Sequence, residues 1–239
     1  MPIGRSNAGR PAHGATRDAG RRTAGRDGAG GTIGAARVPS RAMFRRLKPV
    51  IAASLLVLLV AACGGAAIPV TSFDPASACT TDGRQPGAYP DLEALLPASY
   101  QGKAPSTRDS GRSCTTAALG TLASHGITGV RFAGETWPLG GSTALTIAVF
   151  EGTGLDAASM LDFYAVPAQT ASHTDKLQVS DTTVAGKPAK RLDVLNSDGT
   201  AQTIVTWPGG RSGEVHVLLA SDLGDTNVAA ALETFGARP

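Results

Sequence analysis

Six segments in the C-terminal half of the chain are rich in apolar residues at the spacing of β-strands. Val130 and Phe132 alternate with polar neighbours, and the segment 144–150 is nearly all apolar, as in a central strand. This pattern predicts strands over 129–137, 144–150, 177–184, 189–195, 201–207 and 214–220. Ala185-Gly186 predicts a turn, and Asn196-Ser197-Asp198-Gly199 predicts a hairpin turn between two of these strands.

Helical spacing and capping residues predict four helices, which cover 91–96, 115–125, 157–166 and 226–235. Asp91, Asp156 and Asp225 stand where N-caps belong, and Gly126 stands where a C-cap belongs. The residues of the third helix that are expected to pack are Met160, Leu161, Phe163 and Tyr164. The polar stretch 102–111 has neither period and is predicted to be a loop.

The order of elements is therefore helix, two strands, helix, four strands, helix. Long helices do not alternate regularly with strands, so this order predicts a single α+β domain with helices packed on a mostly antiparallel sheet. The order and the turn Val184-Ala185-Gly186-Lys187-Pro188-Ala189 resemble the PsbP/Mog1-like sandwich of mycobacterial LpqN-type lipoproteins over residues 130–236. That resemblance implies a binding or accessory scaffold rather than a catalyst.

Residues 1–42 have no apolar period, and Ala, Gly and Arg fill 26 of the 42 positions. Such a segment cannot bury enough apolar surface to offset its chain entropy, which predicts a disordered basic leader that could bind polyanions. Two alternatives are an unusually long n-region of an export signal and a wrongly assigned start, with Met43 as the first residue. The signal-like sequence that begins at Met43 favours the wrongly assigned start.

Residues 43–62 have the layout of a signal peptide, with a basic start and thirteen uncharged residues from Val50 to Ala62. Thirteen helical residues rise about 20 Å, less than the ~30 Å hydrocarbon core, so a permanent transmembrane helix is the weaker interpretation. The segment ends in Val60-Ala61-Ala62-Cys63, which resembles the lipobox of bacterial lipoproteins. The resemblance implies cleavage before Cys63 and lipid on its thiol. A flexible tether over 63–78 and a globular domain over 79–239 would come next in the chain.

The formal charge of +3 hides two parts of opposite charge. Residues 1–62 hold 11 Lys and Arg against 2 Asp and Glu, a net charge of +9, whereas residues 63–239 hold 11 against 17, a net charge of −6. Phosphate would repel an acidic mature domain, so nucleic acid is not expected as a partner.

Cys79 and Cys114 are the cysteines that remain if Cys63 carries lipid. An even pair in an exported domain predicts a disulfide. Neither residue has a second Cys or a His at ligand spacing, so no metal site is expected.

Two short motifs resemble functional sequences but lack the required context. Gly152-Thr153-Gly154 lies between a strand and a helix, but Asp156 at the helix start would repel a cofactor phosphate. Ser142 lies in a loop that leads into a strand, whereas a hydrolase nucleophile lies between a strand and a helix. No cofactor and no catalytic residue is therefore predicted.

The histidines of the exported part, His125, His173 and His216, are more than 40 residues apart in the sequence. His216 lies between two valines on a strand, so it is expected to share the opposite face with Glu214. Each histidine is interpreted as structural or solvated.

Trp137 and Trp207 each stand at a strand end before a proline. They are candidates for lining an apolar cleft for a sugar or a lipid, and the alternative is that they form the edge of the core.

These features predict a lipid-anchored protein of the cell membrane, with its domain outside the cytoplasm. Its expected role is a non-catalytic binding or accessory module for an envelope protein, a lipid or a glycan. The alternative is an envelope hydrolase, which would need a histidine near a Ser or Asp in one cleft.

Overall fold

An antiparallel sheet of eight strands organises residues 72–236, the part of the chain that the computed structural model describes. The predicted leader, signal peptide, Cys63 and most of the tether lie outside these residues. The strands are β1 (Gly83–Gln85), β2 (Thr107–Ser113), β3 (Val130–Gly140), β4 (Thr143–Glu151), β5 (Thr174–Val184), β6 (Lys187–Asn196), β7 (Ala201–Pro208) and β8 (Glu214–Ser221). The helices are α1 (Pro90–Glu93), α2 (Thr116–Leu119), α3 (Thr121–Ser124), α4 (Ala157–Thr170) and α5 (Asp225–Gly236). Within the described range, none of these helices has the length and apolar character needed to cross a bilayer.

The strands lie in the order β1-β2-β3-β4-β8-β7-β6-β5, and each neighbouring pair is antiparallel. Strands β1 to β4 form one meander and β5 to β8 form another. The two meanders join where β4 pairs with β8, with Leu145 opposite Ala220 and Val149 opposite His216. The predicted α+β class and antiparallel sheet are therefore confirmed.

Alternate side chains of the strands feed two apolar cores, one on each face of the sheet. On the face called here the back face, the core lies under α1 and α5 and includes Ala133, Trp137, Leu145, Val205, Trp207, Leu218 and Phe235. On the opposite, front face, the core lies under α2, α3 and α4 and includes Val130, Met160, Leu161, Ile204, Val215 and Val217. Helices therefore pack over an apolar core on each face of the sheet.

All six predicted strands are present, with ends that differ from the prediction by at most three residues. The prediction of a loop over 102–111 is wrong, because β2 occupies much of this stretch. Its back-face side chains Ser110 and Arg112 are polar yet buried, and hydrogen bonds satisfy them. The Ser110 hydroxyl accepts from the Tyr89 amide at 2.8 Å, and Arg112 donates to the Ser77 carbonyl at 2.8 Å. A strand that buries polar groups carries no apolar period.

The helix predicted over 115–125 is divided into α2 and α3 by Gly120, whose φ of 52° lies in the left-handed region. The N-cap of α1 is Tyr89 rather than Asp91, because Pro90 takes the first helical position.

Helix α4 continues past the predicted end at 166 and includes Pro167. The hydroxyl of Thr170 donates to the Pro167 carbonyl at 3.1 Å, which satisfies an acceptor in the last turn. At the other end, Asp156 caps the helix as predicted. Its carboxylate accepts from the Ser159 amide at 2.7 Å, and the Ser159 hydroxyl accepts from the Asp156 amide at 3.2 Å.

The predicted disulfide between Cys79 and Cys114 is present, with Cα atoms 5.3 Å apart. It joins the segment before β1 to the residue just after β2. The disulfide therefore fixes the N-terminal edge of the sheet.

Candidate functional site

A partly enclosed cavity of about 100 Å³ lies on the front face, between β2–β4 and the helices. We call it the front trough. Most of its lining is apolar, and four aromatic side chains dominate it: Phe132, Phe150, Phe163 and Tyr164. Leu122 of α3 and Leu219 of β8 also belong to the apolar part of the lining, as do Ala118, Val130 and Ala148.

The strand register explains why the floor of the trough is hollow. Three cross-strand pairs succeed one another along β3 and β4: Phe132–Phe150, Gly134–Ala148 and Thr136–Thr146. The middle pair has almost no side chain, whereas the pairs on either side are larger. A Cβ added at Gly134 would meet no atom closer than 3.6 Å, so this part of the floor is open.

The helices leave the trough unfilled because of where they pack. Helix α4 packs on β5 to β8, and α3 packs on α4. The front sides of β3 and β4 are therefore covered only at their margin, and Phe132 and Phe150 remain partly exposed. Phe163 packs at the α2–α3 junction, where a Cβ at Gly120 would be in ordinary contact with the ring at 3.5 Å.

Tyr164 is the residue of α4 that brings a phenol ring to the lining of the trough. The residue is only 6% exposed, and its ring packs edge-on against Phe163, with centroids 5.2 Å apart. No other residue between 72 and 236 hydrogen-bonds its hydroxyl. Burial alone raises the pKa of the phenol, so the hydroxyl keeps its proton and remains a donor.

The charged groups at the rim of the trough neutralise each other. Arg84 donates to Asp109 at 2.9 Å, and its guanidinium carbon lies 5.8 Å from the centroid of the Phe132 ring. The hydroxyls of Thr136 and Thr146 bond to each other at 3.0 Å. The rim therefore offers a ligand no free cation from Arg84.

A second group of polar residues, the charged cluster, lies at one end of the back face: Asp91, Arg131, Glu151, Arg211 and Glu214. Arg131 donates to Glu151 at 2.6 Å and to Asp91 at 3.2 Å. Arg211 donates to Glu214 at 2.6 Å and lies 3.1 Å from Glu151. These pairs join α1, β3 and β4 to the loop between β7 and β8, so the cluster fastens that loop to the sheet.

His216 extends the charged cluster into the back core. Its Nε2 lies 2.9 Å from Glu214 Oε1, which confirms that the two residues share a strand face. Burial lowers the pKa of His216, and Glu214 offsets part of this effect. Burial raises the pKa of Glu214, but hydrogen bonds from Arg211 and His216 hold it below its ordinary value. The neutral imidazole therefore donates to an ionised carboxylate.

The three histidines do not come together. His125 lies beside α4 on the front side, with Nε2 3.3 Å from Asp162, whereas His216 lies on the back face. His173 is exposed just before the edge strand β5. Ser142 lies in the turn between β3 and β4, in the context that the sequence predicts. Within residues 72–236, no three His, Cys, Asp or Glu residues are placed to hold a metal ion.

Trp137 and Trp207 are core residues, with exposures of 2% and 1%. Trp137 stacks on Phe235 with ring centroids 6.0 Å apart, and its indole nitrogen donates to the Lys103 carbonyl at 3.0 Å. Trp207 packs against His216. Neither ring lines the front trough, and their burial matches the alternative interpretation of these residues as part of the core.

Two wider clefts, of about 460 and 500 Å³, lie next to the charged cluster. Arg131 and Glu151 line the first, and Arg211 and Glu214 line the second, so their principal charges already pair with each other. The front trough is smaller, but most of its lining is apolar and aromatic side chains form much of it. We therefore take the trough as the candidate site.

The sequence alone identifies Phe163 and Tyr164 only as packing residues, and it does not single out Gly134 or Ala148. One signal in the sequence could have predicted the trough. Alternate residues of β3 run Phe132, Gly134 and Thr136, and β4 has the same types in reverse order, so a hairpin would place the two small residues opposite each other. Neither a protein-family model, nor a curated protein, nor a solved structure matches this chain, so its function has to be inferred from the chemistry of its own residues.

Proposed function

We propose that this protein is a lipoprotein anchored in the cell membrane through Cys63, with its domain outside the cytoplasm. In this proposal the domain is a non-catalytic binding module, and the front trough holds the apolar part of a ligand. The observation that carries the proposal is the trough itself, an apolar cavity that the strand register leaves unfilled.

The anchor is supported by the lipobox-like sequence Val60-Ala61-Ala62-Cys63 at the end of an uncharged segment. The disulfide between Cys79 and Cys114 is compatible with an oxidising compartment, because such bonds are rare in the cytosol. Two or three acyl chains would hold the domain stably at a membrane surface, next to apolar ligands.

The binding role is supported by the energetics of an open apolar cavity. Apolar surface contributes roughly 25 cal/mol for each Å² removed from water, so a hydrocarbon that covers the trough would gain free energy. The aromatic walls can contact a chain on several sides, as is usual in small-molecule sites.

Replacement of the lipidated cysteine tests the anchor. A chain with Cys63→Ala should remain uncleaved and should lack acyl groups when the protein is analysed by mass spectrometry. Cys79→Ala is the matched control, since it should lose the disulfide but keep the lipid. A processed, acylated Cys63→Ala protein would contradict the anchor.

Filling the trough tests the binding role. Residues 64–239, exported with an ordinary secretory signal, should bind nonane in equilibrium dialysis, and Gly134→Leu should weaken this binding at least tenfold. The added side chain enters open space, so the variant should still unfold cooperatively. Thr183→Leu adds the same side chain at an exposed position of β5 and should not affect binding. Unchanged binding by Gly134→Leu would show that hydrocarbon does not occupy the trough.

A further inference from the structure

Strand β5 forms an open edge of the sheet. It comes last in the strand order, so among residues 72–236 it pairs only with β6. It has eleven residues and contains no proline, whereas β1 at the opposite edge has three residues. Native proteins usually shorten, bend or cover an edge strand, because its unpaired amide and carbonyl groups can pair with another chain. The length of β5 therefore points to an interaction surface.

The side chains of β5 add an apolar contact to this edge. Val179 is 50% exposed, more than any other large apolar residue in the described part of the chain. Leu177 lies two residues away on the same face. The residues opposite them on β6, Leu192 and Val194, belong to the front core. The apolar front face therefore continues to an edge that no strand of residues 72–236 covers.

We propose that this edge binds a second copy of the same chain, with β5 of each copy antiparallel to β5 of the other. The two eight-stranded sheets then join into one continuous sheet around a two-fold axis. Strand β5 does not line the front trough, so this dimer does not depend on a ligand there.

The apolar residues determine the register of the two copies. Directly opposite residues of an antiparallel sheet lie on the same face, so Leu177 can face Val179 of the second copy but not Gln178. When Gln178 faces Gln178 across the axis, Leu177 of each copy faces Val179 of the other. Four apolar side chains then meet on the front face, in rows that continue into Val194 and Leu192.

The charges on β5 are compatible with this register. Lys176 faces Ser180 of the second copy, so like charges do not oppose each other between these two positions. Asp181 already pairs with Lys190 at 2.5 Å, and it lies next to the bulge that precedes Lys176 of the second copy. A second copy supplies the matching apolar residues at the required spacing by symmetry, which favours it over a different protein.

Cysteine crosslinking of the purified full chain tests the register. Opposite Cβ atoms lie about 4.5–5.5 Å apart, close to the distance in a disulfide. Gln178→Cys should therefore form a covalent dimer under mild oxidation. Ser180→Cys is the matched control on the same face of the strand, but its two copies lie four positions apart, or about 14 Å. Gln178→Cys should crosslink about tenfold faster than Ser180→Cys. The wild-type chain measures any crosslink through Cys63.

A charge at Val179 tests the apolar contact. Val179→Asp places a carboxylate against Leu177 of the second copy, so sedimentation should change from that of a dimer to that of a monomer. Val166→Asp is the matched control, because Val166 is also exposed, at 41%, but lies on α4. This variant should remain dimeric.

Four results would overturn the proposal. A monomeric wild-type chain would leave the edge to a different protein. Equal crosslinking rates for Gln178→Cys and Ser180→Cys would exclude the register. A dimer that persists in Val179→Asp would place the contact elsewhere. A disulfide between Gln178→Cys and Cys63 of the same chain would show that the N-terminal part of that chain occupies the edge.

Discussion

Removing the Cys79–Cys114 disulfide should destabilise the domain mainly because the unfolded chain gains conformational entropy. The two cysteines are 35 residues apart. For a loop of this length the chain-entropy relation gives about 3.8 kcal/mol at 25 °C. In a domain of this size, each kcal/mol corresponds to about 2–4 °C in Tm, so the expected fall is about 8–15 °C.

The folded state should keep its local geometry without the disulfide, because hydrogen bonds hold the same segment. Arg112 donates to the carbonyls of Ser77 and Thr81 at 2.8 and 2.9 Å. Asp82 accepts from the Cys114 amide at 2.6 Å. These contacts join the segment before β1 to β2 independently of the sulfur atoms. Removing the disulfide should therefore change the energy of the folded state little, and most of the destabilisation should come from the entropy of the unfolded chain.

The assay is urea unfolding of residues 64–239, comparing the oxidised protein with Cys79→Ser/Cys114→Ser. The near-UV circular dichroism of the double variant should remain native-like before unfolding begins. A decrease of less than about 1 kcal/mol in the free energy of unfolding would refute the entropy argument, since closing the loop would then restrict the unfolded chain little. Loss of the folded state in buffer would instead show that the hydrogen bonds of Arg112 and Asp82 do not hold the segment.

Three further predictions concern single residues and use the same unfolding assay. Ala185→Asn should stabilise the domain by about 0.5–1 kcal/mol, because Ala185 has a φ of 49° in a two-residue hairpin turn, where Asn is favoured; a loss would contradict this. Asp156→Ala should cost about 1 kcal/mol at pH 7 through loss of the N-cap. The backbone hydrogen bond from Ser159 lowers the pKa of Asp156 in the folded state. The difference in unfolding free energy between wild type and variant should therefore persist above about pH 4 and shrink as the pH falls through that lowered pKa; an undiminished difference at pH 2 would refute it. Gly213→Ala should cost about 2–4 kcal/mol, since φ is 76° and the new Cβ would overlap the Gly152 carbonyl; a change below 1 kcal/mol would show that the loop shifts easily.

Most of the sheet could be predicted because its strands bury apolar side chains at regular spacing. Strand β2 could not, since it reads Thr-Arg-Asp-Ser-Gly-Arg-Ser and buries Ser110 and Arg112 through hydrogen bonds to distant residues. Which distant residues bond to these side chains depends on the tertiary structure, so no local sequence pattern reveals the strand. The break at Gly120 was hidden for a similar reason, because glycine can also occur inside a helix.

The candidate site was harder to predict than the fold because the trough exists where two small residues leave space unfilled. Gly134 and Ala148 are unremarkable on their own strands, and only their pairing opposite each other leaves a depression. Tyr164 has the spacing of a packing residue, and whether its hydroxyl has a partner depends on helices and strands far away in the sequence. By contrast, the His216–Glu214 contact could be predicted from strand alternation alone.

The pairing of β4 with β8 has a consequence for how the chain reaches its native state. Ile147 and Leu218 lie opposite each other at the middle of the sheet, although about 70 residues separate them along the chain. Each meander can form from strands that are neighbours in the sequence. The first meander, however, keeps an unpaired edge at β4 until β8 is available. A chain that emerges N-terminus first must therefore expose this edge until its last strand has emerged, and a C-terminal truncation before β8 would leave both meanders unpaired at the centre.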